Sequence, residues 1–114
     1  MMYTHTKRRS AKLRQKLRKE AGQWLRELRE GRSLSQRGLA EKVGAGNYTF
    51  ISQLEQGRAR IPPDRYLIWA GALGVEPREF VRGLLYYYDP VTYNIIFPVI
   101  PVNRLEPVAS AVMQ

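Results

Sequence analysis

Four glycines, at positions 31, 44, 57 and 74, each follow a stretch in which apolar residues recur at three- and four-residue spacing. That spacing places apolar side chains on one face of a helix, and glycine often ends a helix because it adopts a positive φ without strain. A chain divided in this way is expected to form several short helices around one core. The sequence therefore predicts an all-α fold, a compact domain of five helices.

The apolar positions define the expected helices. The first has its apolar face from about residue 10 to residue 30. Its core part is expected from about residue 21, because Gly22 costs about 1 kcal/mol against alanine in a helix interior. Ser35 can cap the second helix, and Pro77 suits the first turn of the fifth, which runs to about Tyr88. The third begins around Asn47 or Tyr48. The buried residues expected for the first to fourth helices are Leu13, Leu17, Ala21, Trp24, Leu25 and Leu28; Leu39, Ala40 and Val43; Phe50, Ile51 and Leu54; and Tyr66, Trp69, Ala70 and Leu73.

Basic residues are concentrated at the N-terminus. The 114-residue chain has 19 lysines and arginines against 10 acidic residues, a net charge of +9. Eight basic residues and one acid lie in the first twenty positions, so this segment carries +7 and the rest about +2. Such a balance favours a polyanionic partner. Residues 1–19 are interpreted as a basic arm, disordered at least over residues 1–9, or as an extra helix. It either contacts DNA or serves solubility or localisation.

Several classes of protein are disfavoured by residues that are missing. The sequence contains no cysteine and a single histidine, His5, which lies in the basic arm. No catalytic residue, metal site or cofactor is therefore expected, and the acids are scattered singly. The longest uncharged stretch, residues 90–103, is short and contains three prolines, which argues against a membrane helix. A cytoplasmic, nucleoid-associated protein without enzymatic activity is the expectation.

The segment from Gln36 to Gly57 predicts two helices joined by a glycine-containing turn. Ala40 is small enough for the helices to approach closely, and Gly44 can adopt a positive φ at the turn. Ile51 and Leu54 would hold the second helix against the core. This arrangement places one helix in a DNA major groove.

The chain resembles the XRE family of regulators, the lambda-repressor and Cro type. The resemblance lies in LRELREGRSLSQRGLAEKVG, ISQLEQGRARIPP and WAGALGV, within residues 21–75. It implies a lambda-repressor-like domain at residues 20–88 that binds double-stranded DNA as a sequence-specific transcriptional regulator. One departure from the family is that six residues, 45–50, separate the turn glycine from the isoleucine, where the family usually has five.

The resemblance also implies roles for individual residues. The helix near residues 47–56 would read bases, while flanking residues would contact phosphates. The base-reading residues would be Asn47, Tyr48, Thr49, Ser52 and Gln53. The phosphate-binding residues would be Gln36, Arg37, Arg58 and Arg60.

The C-terminal segment, residues 89–114, is the least determined part. Its β-branched, aromatic and proline-rich start is compatible with a short strand or an extended arm, and the residues after Arg104 resemble a loose tail. Consecutive tyrosines followed by an apolar run predict a homodimer interface, which would match an inverted-repeat operator bound by a repressor. This interface would contain Tyr86, Tyr87, Tyr88, Ile95, Ile96 and Phe97.

Other interpretations remain open at this stage. The tail can fold back onto its own domain. The protein can be antitoxin-like, with a C-terminal segment that binds a partner protein while the domain represses its own promoter. It can also bind nucleic acid without sequence preference through its basic arm.

Overall fold

A computed structural model describes residues 2–98, with side chains from Arg9 onward. Six helices occur in this part of the chain and no strand, which confirms the all-α prediction for the described residues. The helices are α1 (Met2–Gly31), α2 (Gln36–Val43), α3 (Thr49–Glu55), α4 (Tyr66–Leu73), α5 (Pro77–Tyr88) and α6 (Pro90–Ile96), with a single 3-10 turn, Pro63–Arg65, before α4.

The expected helix ends are confirmed. Ser35 caps α2, its hydroxyl accepting a hydrogen bond from the Gly38 N–H at 2.9 Å. Gly44 and Gly74 end α2 and α4 with φ of 72° and 69°, so both helices turn through the left-handed conformation that suits glycine. Pro77 occupies the first turn of α5. Each of these capping features acts within three or four residues of the helix end.

One core is shared by α1 to α5. Its largest fully buried side chains are Trp69, Phe80, Leu25, Leu39, Ile51, Leu54, Ile61, Leu73 and Leu84. Ala40 is also buried where α2 packs against α3 and α4. Trp24 is half-buried and stacks on Phe80 with ring centroids 5.7 Å apart. None of the described helices is long and apolar enough to cross a membrane.

The first helix differs from its prediction. It is continuous from Met2 to Gly31, so the disordered arm over residues 1–9 and the helix start near residue 21 are corrected. A Cβ at Gly22 would lie 2.3 Å from the backbone oxygen of Glu55. Gly22 therefore allows a close approach to α3, and packing there offsets its poor helix propensity. Leu13, an expected core residue, is 53% exposed because the N-terminal half of α1 extends beyond the core.

The segment after α5 also differs from its prediction. Residues 90–96 form α6 in place of the strand or extended arm that their composition suggested. The Asp89 carboxylate caps this helix by accepting hydrogen bonds from the Thr92 N–H at 3.1 Å and the Thr92 hydroxyl at 2.6 Å. Pro90 occupies its first position, where no N–H is needed. The predicted loose tail after Arg104 lies outside the described residues.

Candidate nucleic-acid interface

The turn between α2 and α3 sets where the second helix of the motif begins. The Asn47 side-chain oxygen accepts a hydrogen bond from the Thr49 N–H at 2.8 Å, which satisfies an amide that the first helical turn leaves unpaired. Helix α3 therefore starts at Thr49. Asn47 and Tyr48, two of the five predicted base-reading residues, lie in the turn directly before the helix. Of the six residues between Gly44 and Ile51, the first four, 45–48, precede α3.

Helix α3 presents a polar face to solvent. Ile51 and Leu54 are buried on its opposite face. Thr49 and Gln53 are exposed, Ser52 is half-buried, and these three lie on the outer face at helical spacing. Sequence analysis missed Gln56, which is exposed on the same face and donates a hydrogen bond from its amide to the Ser52 oxygen at 3.0 Å. Gln56 lies three residues after Gln53 and four after Ser52, and this helical spacing was the signal that could have placed it on the same face.

A buried ion pair fixes α3 against α1 and α2. The Arg29 guanidinium donates to both Glu55 carboxylate oxygens, at 2.6 and 3.0 Å, and to the Leu34 carbonyl at 2.7 Å. The hydrogen bond to Glu55 raises the Arg29 pKa further above its ordinary value, against the opposing effect of burial. No buried side-chain polar atom in the described part of the chain is left without a hydrogen bond. The orientation of α3 therefore depends on a fully satisfied polar cluster.

Gln36 belongs to this cluster. Its side-chain amide donates one hydrogen bond, to a Glu55 carboxylate oxygen at 3.1 Å. The second amide hydrogen has no described partner, and the phosphate contact predicted for Gln36 stays a prediction. The backbone N–H groups of Gln36 and Arg37 remain available in the first turn of α2, where an anion is favoured. Arg37 is exposed, and its guanidinium lies 5.2 Å from the centre of the Tyr48 ring. The structure thus brings together a predicted phosphate residue and a predicted base-reading residue.

The loop after α3 holds the remaining predicted phosphate residues. Arg58 is exposed directly after Gly57. The Arg60 guanidinium lies over the Tyr88 ring, 4.8 Å from its centre, and the Ile61 N–H donates to the Tyr88 hydroxyl at 3.4 Å. Burial raises the pKa of the Tyr88 phenol. Tyr88 therefore holds the loop against α5.

Two residues of the predicted dimer interface also make contacts within the chain. Tyr87 packs against Trp24 with ring centroids 5.7 Å apart, and Tyr88 lies under Arg60. Both side chains are half-buried, and their interface role stays a prediction. Tyr86 is 47% exposed, and Ile95 and Ile96 are 73% and 55% exposed.

Phe97 is half-buried, and its ring lies beneath the Arg82 guanidinium at 4.7 Å. Three further exposed apolar residues were not singled out by sequence analysis: Leu67, Ile68 and Val91.

Two comparisons with known proteins give a match to this chain. A family model described as helix-turn-helix matches residues 25–80, which include α2, the turn, α3 and α4. The crystal structure of the restriction-modification controller protein C.AhdI from Aeromonas hydrophila is 38% identical in sequence. That match covers 54% of this chain and 87% of the other, with a TM-score of 0.49. A comparison with curated protein sequences gives no significant match. The chain belongs to the helix-turn-helix family, of the XRE type, and is a DNA-binding transcription regulator.

Proposed function

We propose that the protein is a repressor that binds an inverted-repeat operator as a homodimer, with α3 in the major groove of each half-site. The observation that carries this proposal is the outer face of α3. Thr49, Ser52 and Gln53 stand on it with polar side chains, while Ile51 and Leu54 attach the opposite face to the core. A rigid helix with an exposed polar face is suited to hydrogen bonding with base edges.

The chemistry of this face fits base reading. A glutamine amide can form paired hydrogen bonds with adenine, and a threonine methyl can contact the thymine methyl. The Ser52 oxygen accepts from Gln56 and keeps its own hydrogen for donation. Asn47 and Tyr48 complete the proposed reading surface from the turn, where the Asn47 amide nitrogen can still donate.

Phosphate contacts would supply affinity and fix the position of α3. Arg37 and Arg58 flank the α3 face and are exposed. Gln36 would contribute its backbone N–H at the start of α2. Arg60 would contribute while its guanidinium stays above the Tyr88 ring. The four contacts would lie on both sides of the helix that reads the bases.

Dimerisation is proposed through the exposed apolar surface of α5 and α6, formed by Tyr86, Ile95 and Ile96 with the half-buried Phe97. Two-fold symmetry would place two α3 helices one DNA turn apart, about 34 Å, to match inverted half-sites. In this proposal residues 20–88 are the DNA-binding unit, with the basic segment 1–19 before it and the dimerising segment 89–114 after it. Occupation of a promoter by such a dimer would repress transcription.

The same apolar surface supports a second candidate function. Ile95 and Ile96 are exposed on a helix that makes its contacts mainly with α5, so a partner protein can cover them in place of a second copy. The protein would then act like an antitoxin that masks its partner and represses its own promoter. A stable partner that co-purifies with the wild type, and is lost with Ile95→Asp, would favour this function.

Selection of bound duplexes from a randomised DNA pool tests the main proposal. Enrichment of an inverted repeat is expected, because each protomer would select one half-site. Enrichment of a single half-site would contradict the dimer, and no enriched motif would contradict base reading by α3.

A further inference from the structure

We propose that the N-terminal half of α1 carries a second DNA-binding surface, a stripe of four basic residues that contacts phosphates beside the base pairs read by α3. The stripe consists of Arg9, Lys12, Lys16 and Lys19. This inference rests on the proposed function for the position of the stripe along the DNA. Its binding to DNA phosphates stands independently of base reading.

The four residues share one face of α1. They follow each other at spacings of three, four and three residues, which keeps them on one side of a helix. All four are exposed, whereas Leu17 and Ala21 on another face are buried. At 1.5 Å per residue the stripe is about 15 Å long. It is therefore a continuous positive ridge, fixed by the helix that carries it.

The ridge itself contains no acidic residue, and Glu20 is the first acid after it. Residues 9–19 contain six basic residues and no aspartate or glutamate. None of the six forms an ion pair with another residue whose side chain the structure describes. Double-stranded DNA carries one negative charge per about 1.7 Å of its axis. The ridge therefore has charge complementarity to a DNA backbone along its whole length.

Two glycines place the ridge next to the α3 interface. A Cβ at Gly57 would lie 2.9 Å from the Lys19 backbone nitrogen, and a Cβ at Gly22 would lie 2.3 Å from the Glu55 oxygen. The C-terminal turn of α3 thus contacts α1 at the point where the ridge ends. Arg58 follows Gly57 directly, so this predicted phosphate-binding residue lies close to the C-terminal end of the ridge.

Because this segment is a helix, its width limits how it can contact DNA. A helix with its side chains is about 10–12 Å wide, and the minor groove is only about 6 Å wide. The segment is thus too wide to enter the minor groove as an extended arm does. A second copy is also disfavoured as the occupant, because two ridges of the same charge would repel each other. Phosphates along the backbone fit both the width and the charge.

The experiment compares two double variants that each remove two positive charges from exposed helical positions. Lys12→Gln/Lys16→Gln neutralises the centre of the ridge, and Lys42→Gln/Arg78→Gln neutralises exposed positions of α2 and α5. Glutamine has nearly the helix propensity of lysine and arginine, so both variants should keep the fold. Affinity for a short duplex of mixed sequence is measured against salt concentration, with helicity checked by circular dichroism.

For the ridge variant, the slope of log affinity against log salt is expected to fall by about 0.9 for each lost phosphate contact, with about a tenfold or larger loss of affinity at low salt. The Lys42→Gln/Arg78→Gln variant is expected to keep the wild-type slope. Equal slopes in all three proteins, or equal losses in both variants, would overturn the inference. Since the duplex has no operator, the result does not depend on base reading, and the randomised pool tests that function separately.

Discussion

Gln53 has a long amide side chain on the outer face of α3, and no hydrogen bond joins that side chain to another described residue. Gln53→Ala is expected to cost about 1–3 kcal/mol of binding to the preferred site and little on unrelated DNA, because base contacts carry specificity and phosphate contacts do not. Competition binding with a selected duplex and a mixed-sequence duplex measures both values.

Gln23→Ala is the matched control for this prediction. Gln23 is exposed on α1 and donates its only described hydrogen bond to Glu27, at 3.4 Å. Its removal should leave both affinities unchanged. Equal losses on the two duplexes with Gln53→Ala would show that Gln53 does not distinguish bases.

Glu55 is almost fully buried and accepts hydrogen bonds from both Arg29 and Gln36. Glu55→Gln removes the charge that compensates Arg29 and is expected to lower the free energy of unfolding by about 3–5 kcal/mol, because a buried cation then lacks its partner. Urea denaturation of the variant and the wild type measures this difference.

Glu30→Gln provides the comparison for Glu55. Glu30 pairs with Arg26 at 3.2 Å on an exposed part of α1, where such a pair contributes about 0–1 kcal/mol. A loss with Glu55→Gln no larger than with Glu30→Gln would mean that the buried pair does not hold α3.

At the scale of single elements, the crossing of α1 and α3 depends on one missing side chain. Gly22→Ala introduces a Cβ that would lie 2.3 Å from the Glu55 oxygen, so the two helices must separate. Despite a gain of about 1 kcal/mol in helix propensity, we expect a net destabilisation of about 1–3 kcal/mol. Thermal unfolding at fixed protein concentration detects this change.

Gly71→Ala tests the same substitution where space is open. Gly71 lies within α4, and no atom lies within 4 Å of a Cβ built there. The variant is expected to gain up to about 1 kcal/mol of stability. If both variants were stabilised, the close approach of α1 to α3 would not be present in solution.

Elements that are formed by short-range interactions could be predicted from the sequence, whereas elements that depend on long-range contacts could not. Ser35 and the terminal glycines of α2 and α4 act within three or four residues, so their positions were readable directly. Continuity of α1 depends on contact between Gly22 and Glu55, far apart in the chain, and the sequence showed only an unfavourable glycine. The α6 cap at Asp89 is local and readable, but the β-branched and aromatic composition that follows it indicated an extended segment.

The site shows the same division. The outer face of α3 follows from helical periodicity once Ile51 and Leu54 are recognised as buried. The hydrogen bond from Gln36 to Glu55 joins residues that are nineteen positions apart. A local sequence pattern does not reach that far. The Tyr88 ring is covered by Arg60 from a distant loop. The sequence predicted DNA or dimer contacts for Gln36, Arg60 and Tyr88, but it could not show that these side chains also make contacts within the fold.

For the whole molecule, the dimer is the property on which an inverted-repeat operator depends. Exposed apolar residues in the described part of the chain include Ile95 and Ile96 on α6 and Leu67 on α4, which is 72% exposed. Ile95→Asp/Ile96→Asp is expected to shift the sedimentation coefficient from dimer to monomer, because the charge would be buried unpaired in the proposed interface. Since both residues are exposed in the monomer, the fold should be retained.

Leu67→Asp is the control, because it places the same charge on an exposed apolar position outside the proposed interface. It should sediment as the wild type does and retain affinity for the selected inverted repeat, whereas the α6 variant should bind that duplex more weakly and a single half-site equally well. Dissociation by Leu67→Asp alone would move the interface to α4 and leave α6 as the surface that a partner protein would cover. A wild type that sediments as a monomer at all concentrations would contradict the dimer itself, and α3 would then read one half-site on its own.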